Sequence, residues 1–326
     1  MKRAITCLCI CLFVLAAASI GHSQTPAGNY PSRSVRIIVP YPAGGPTDLI
    51  ARLVAQKLGE SLGQRFYIEN VAGASGARAA AMAAAAPADG YTLLAATNDL
   101  AIVPVISKNV QYDPIKDFAP ISLISSSPSV VLVHPSVPAK TMSEFVALAR
   151  AEPAKYSFAS LSLGHNLLNS ERLFKLGLKL EITRVPFTGA APILTSTVAG
   201  HTPVAYIGLP SAVPFIKDGR LRALAVAGSK RSPIVPDVPT LSEGGFKDQV
   251  SELVIGLVAP AGTPDPIVDL LSREVAKIVA QPETQERLAN VGFTAVGSTR
   301  AEFGAQIKDD IELYRKLVRD EGIKVE

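Results

Sequence analysis

Val35-Arg36-Ile37-Ile38-Val39-Pro40-Tyr41-Pro42-Ala43-Gly44-Gly45-Pro46-Thr47-Asp48 decides how this chain is read. A short apolar run of strand type ends in a loop with two adjacent glycines. Leu49, Ile50, Leu53, Val54 and Leu58 then recur at helical spacing. The unit repeats. Phe66-Tyr67-Ile68 leads to Asn70-Val71-Ala72-Gly73-Ala74-Ser75-Gly76 and an alanine-rich helix from Ala77. Tyr91 to Ala96 ends at Thr97-Asn98. Strand, small-residue loop and helix in repetition predict an α/β fold, with mostly parallel sheets flanked by crossover helices.

The pattern resumes downstream. Val130 to Val133, Tyr156 to Ser160, Ile182 to Val185, Val204 to Ile207 and Leu221 to Val226 read as strands. Thr141 with Glu144, and Thr299 with Glu302, have the spacing of capping boxes. Thr263 is expected to cap a helix with Pro264 at its first position. Ile121 to Val133 and Leu253 to Val258 look like connections between two lobes. The first lobe is therefore expected to be discontinuous, 24–127 with 249–326, and the second to span 128–248. Two crossings suit hinged closure around a ligand.

Composition narrows the function. Lys2 and Arg3 precede an apolar run from Ile5 to Ile20, and Gly21-His22-Ser23 supplies small residues before Gln24. That grammar predicts a cleaved signal peptide at 1–23 and an exported protein. All three cysteines, Cys7, Cys9 and Cys11, fall inside it. The remaining chain has no disulfide and no thiolate metal site. Net charge is +4, without a Lys/Arg cluster, so no nucleic-acid partner is expected. Neither a Walker loop nor G-x-G-x-x-G occurs, His134 and His201 lack metal-ligand spacing, and no cofactor or metal is expected.

The loops after the strands carry the chemistry. Glycine lets backbone approach a ligand, and a helix N-terminus offers free N–H groups and a favourable dipole to an anion. Ala43-Gly44-Gly45, the Ser75 loop, Thr97-Asn98, Leu161 to His165 and Thr188-Gly189-Ala190 all fit. Ligands of open parallel sheets sit at the carboxyl ends of the strands. A single anionic ligand is expected there. Asp48 has two readings, a catalytic residue or a first-turn aspartate answering its helix dipole. Ser162 and His165 allow a hydrolase as the alternative, although no nucleophile elbow surrounds Ser162.

At these loops the sequence resembles the substrate-binding receptors of tripartite tricarboxylate transporters, the Bug-type periplasmic proteins. Tyr30-Pro31-Ser32, Val39 to Gly45 with Asp48, Asp89-Gly90-Tyr91-Thr92-Leu93 and Tyr112-Asp113-Pro114 carry the likeness. So do Val185 to Pro192, Leu209-Pro210-Ser211-Ala212 and Pro236-Asp237-Val238-Pro239-Thr240. The resemblance implies a two-lobed periplasmic-binding-protein type II fold that closes on one small carboxylate. It further implies a monomer that hands its ligand transiently to integral membrane subunits. A sensor-presenting role uses the same cleft. The resemblance places the ligand carboxylate at Tyr41 to Gly45 and adds Ser160 to the cleft. Gly208 borders it, where family members often carry an acid, and the missing acid argues against an amino-acid ligand. Leu161 and Leu163, Ile207, and Val254 depart from the usual residues. They lead to the expectation of an apolar, even aromatic, ligand body.

Overall fold

The computed structural model describes residues 29–162 and 164–321. The expected signal segment, with its cysteines, and Leu163 lie outside the described residues. In the first half, β1 (Val35–Val39), α1 (Pro46–Leu62), β2 (Phe66–Asn70), α2 (Ala77–Ala84), β3 (Thr92–Thr97) and α3 (Asp99–Ile106) alternate. A 16-residue strand follows, β4 (Phe118–Val133). Then come α4 (Met142–Ala151), β5 (Ser157–Leu161), α5 (Gly164–Glu171), β6 (Thr183–Phe187), α6 (Ala190–Val198), β7 (Val204–Gly208), α7 (Leu209–Lys217) and β8 (Arg222–Val226). The chain returns through β9 (Glu252–Pro260) to α8 (Asp265–Ala280), α9 (Pro282–Asn290), β10 (Thr294–Ala295) and α10 (Arg300–Glu321).

The strand order is β2-β1-β3-β9-β4-β7-β5-β6, with β8 and β10 also pairing β4. β1 lies parallel between β2 and β3, and β5 lies parallel between β6 and β7. Around β4 and β9 the pairing is antiparallel. The sheets are thus mixed rather than mostly parallel. The reason is directional: β4 leaves the first group of strands and β9 comes back beside it. β4 serves both groups, pairing β9 as far as Pro128 and pairing β7 and β8 from Ser129 and Val130 onward. Proline donates no ladder bond, and Pro128 stands where the partners change.

Each group of strands has its own core. Ile38, Leu94 and Val258 pack with Ala79, Leu100, Phe303 and Ile307 on one side of the first. Phe145, Phe158, Phe174 and Tyr206 form an aromatic core in the second, several of them edge to face. A further cluster joins the halves: Ile102 and Ile106 of α3, Leu168 of α5 and Tyr314 of α10. So α5, which follows a strand of the second group, seats on helices of the first.

Of the three expected helix caps, one forms in full, one in part and one not at all. Thr299 and Glu302 bond reciprocally, side chain to amide in both directions. Thr141 accepts from the Glu144 amide, but Glu144 reaches back to the amide of Lys140 rather than Thr141. Thr263 does not cap α8. Its hydroxyl donates to Pro260 O at 2.7 Å, and Pro264, with extended backbone, takes the cap position.

Candidate functional site

The loop after β1 is held from beneath. Gly44 adopts a φ of +83°, which glycine tolerates. Its amide turns inward and donates to Asp48 Oδ2 at 2.9 Å. Arg52 Nε donates to the same oxygen at 2.8 Å, and Asn70 Nδ2 donates to Oδ1 at 2.9 Å. Asn70 also donates to the Tyr41 carbonyl. Burial alone would raise the Asp48 pKa, but the bonds from Arg52, Gly44 and Asn70 bring it below the ordinary carboxylate range. Asp48 is 2% exposed, so it braces the loop from within. What the loop presents outward is Pro42, Ala43 and Gly44, all exposed, and the first turn of α1 at Gly45, which has no side-chain cap.

The next loop turns through four consecutive residues with positive φ, Gly73, Ala74, Ser75 and Gly76. Ser75, at φ +49° and ψ +37°, sits where glycine is the easier residue. After β3, Thr97 hydrogen-bonds the Tyr41 hydroxyl at 3.0 Å. Asn98 faces the other way: its Oδ1 accepts from the Val254 amide, and its Nδ2 donates to Asp310 at 3.4 Å. Asn98 therefore ties β3 to β9 and α10.

Asp99, the first residue of α3, was not among the expected site residues, yet it joins them. Its Oδ2 accepts from Tyr41 OH at 2.7 Å, and its Oδ1 accepts from the backbone amide of His165 at 2.8 Å. Tyr41, Thr97 and the start of α5 are thereby brought together. Burial pushes the Asp99 carboxyl upward, more than these bonds pull it down. Gly164 makes room: an added Cβ there would lie 2.5 Å from Asp99 Oδ1. The position was legible as an acid in a first helical turn after a strand, one residue beyond Thr97-Asn98. Tyr314 carried no such signal.

The remaining expected residues lie at strand and helix ends without bonding to this group. Ser160 is buried, its hydroxyl toward the Leu161 carbonyl at 3.4 Å. Thr188 is exposed, Gly189 caps α6 with extended backbone, and Ala190 opens that helix. Gly208 is half-buried at the start of α7.

Residues 50–323 match the family described as "Tripartite tricarboxylate transporter family receptor". Protein BugT of Bordetella pertussis is 32% identical over 95% of this chain and 96% of its own length. The chain belongs to the tripartite tricarboxylate transporter receptor family. Among solved structures, Rpa4515 of R. palustris with adipate is 32% identical, with a TM-score of 0.83 over 90% of this chain and 99% of that one. MatC of Rhodopseudomonas palustris with bound malate is also 32% identical, with a TM-score of 0.78 over 89% of this chain and all of that one.

Among the described residues, no hydrogen bond joins Ser162 to His165. The Ser162 amide donates to the Phe187 carbonyl. The His165 ring is engaged elsewhere, Nδ1 with Tyr314 OH at 2.9 Å and Nε2 with Ser251 Oγ at 3.1 Å. Burial first, and then the Arg172 charge, lower the His165 pKa to about 3. Two of the residues behind the expectation of an apolar ligand body belong to the cores. Ile207 is 3% exposed and packs in the core with Val130 and Ile193, with Leu161 against the same cluster. Val254 is buried beside Leu123 and Phe303 in the other core. Ile207 and Val254 are thus core residues, while Leu161 stays half-buried.

Proposed function

We propose that this receptor captures a small carboxylate in the periplasm between two lobes and passes it to integral membrane transporter subunits. One observation carries the reading. In a chain of this family, the loop after β1, the end of β3 and the start of α5 meet through Tyr41, Thr97, Asp99 and the His165 amide. Relatives of the same fold hold adipate and malate. The proposed lobes are 24–127 with 249–326, and 128–248. β4 and β9 run between them, and 1–23 is the proposed export signal. The ligand carboxylate is assigned to the uncapped first turn of α1 at Gly45, where amides and helix dipole favour an anion. No membrane-crossing helix occurs among the described residues. We take the receptor to work as a monomer.

The test is ligand linkage. Binding to the folded state alone adds RT ln(1 + [L]/Kd), about 2.7 kcal/mol at a hundredfold excess over Kd. Ligand-free protein screened against small mono- and dicarboxylates should show a melting temperature raised by several degrees with at least one acid. A panel with no shift would overturn the proposal.

A further inference from the structure

Resting on the reading of this chain as a carboxylate receptor, we propose that Asp99 selects its ligand. The cleft takes small carboxylates that present an ammonium or another hydrogen-bond donor to Asp99, and it disfavours those that bring a second carboxylate there.

The carboxylate of Asp99 stands where the loops of the two halves meet. Tyr41 OH and the His165 amide are its bonded partners. Both are neutral, and no ion pair to Asp99 occurs among the described residues. An ionised carboxylate offers about four acceptor positions, so acceptor capacity remains on a side chain that is partly exposed. The seat is shaped for it. Gly164 at φ +77° leaves the space in which any Cβ would collide with Oδ1.

Two consequences follow. The His165 amide, which helix-terminus chemistry would offer to a ligand anion, is already engaged by the protein's own anion. The ligand carboxylate stays at the loop around Gly45, as assigned above. The rest of the ligand extends toward Tyr41 and Thr97, where it meets Asp99. A negative charge without a cationic partner favours a cation or donor and opposes another anion. The missing acid near Gly208 does not exclude an amino acid, because Asp99 supplies another.

Calorimetry on ligand-freed protein with acids matched in length decides this: 4-aminobutanoate against succinate, and 6-aminohexanoate against adipate. For at least one pair the amino acid should bind the native protein at least tenfold tighter than the diacid. Asp99→Asn keeps the shape and removes the charge, so it should shrink that ratio severalfold or invert it. The comparison within the native protein stands even if the variant folds poorly. A diacid that binds as tightly as its amino partner, or a ratio unmoved in Asp99→Asn, overturns the selection by Asp99 and leaves a carboxylate receptor standing. Failure of all four acids, together with a broad carboxylate screen that gives no thermal shift, overturns both readings.

Discussion

Gly44 and Gly45 are adjacent but do different things. Gly44 holds a left-handed turn and gives its amide to Asp48. Gly45 has ordinary extended backbone, and the nearest atom to an added Cβ is the Pro42 carbonyl at 3.5 Å. A side chain therefore fits at Gly45 without refolding the loop, but it stands over the uncapped turn of α1. Gly45→Val should keep a native circular dichroism spectrum and lose at least tenfold in carboxylate affinity by calorimetry. Unchanged affinity would move the carboxylate away from this loop. Asp48 makes the opposite case. Removing it leaves the Gly44 amide and the Asn70 amide group without their buried acceptor, so Asp48→Ala should cost roughly 2–4 kcal/mol of stability. Denaturant unfolding measures that cost. Because its folded pKa is depressed, the stability Asp48 contributes is present above its ordinary value of 3.8 and lost as pH falls below it.

At the scale of elements, the capping box at Thr299 and Glu302 starts the long α10, whose Phe303 and Ile307 pack in the first core. Thr299→Ala should lower stability by about 1 kcal/mol, with the helix otherwise intact; an unchanged unfolding midpoint would count against it. This start was legible because a capping box is local, and so were the alternating strands, loops and helices. Contacts between distant residues were not. Thr263 looked like a cap, but its hydroxyl finds the Pro260 carbonyl three residues back in a turn that forms only at the end of β9. Ile207 and Val254 looked free to line a cleft. Their orientation is fixed by register, Ile207 opposite Val130 and Val254 opposite Ser126, and sequence spacing does not reveal that. The site divides the same way. The loops after β1, β3 and β5 could be named from glycines and helix starts. That Asp99 reaches the His165 amide, 66 residues away, depends on how α5 seats against α3.

For the whole molecule, that seat contains two titratable groups with opposing responses to acid. His165 is buried where α5 meets α10 and β9, bonded to Tyr314 and Ser251, with its pKa lowered from 6.5 to about 3. The unfolded chain takes up this proton first. The stability from neutral His165 is therefore complete above 6.5 and is lost as pH falls toward 3. Asp310 lies on α10, beside Asn98 and Asp309. Burial first raises its pKa from 3.8 to about 6, aided by the Asp309 charge and opposed by the Asn98 bond. Its contribution is complete below 3.8 and is lost as pH rises through about 6. Between about pH 6 and pH 4, the folded state carries a proton on Asp310 and the unfolded state carries one on His165 instead. Proton counts from this pair then match, and their net effect on stability across that window is close to nil. Asp99, raised by burial, acts in the same direction as Asp310. Replacing Asp310 removes one side of the balance. In Asp310→Asn the melting temperature should fall more steeply than in the native protein as pH drops from about 6 to 4. In His165→Gln it should fall less steeply, or rise. Melting curves for the three proteins across that window check both slopes, and parallel curves would show that these groups do not titrate as their surroundings require.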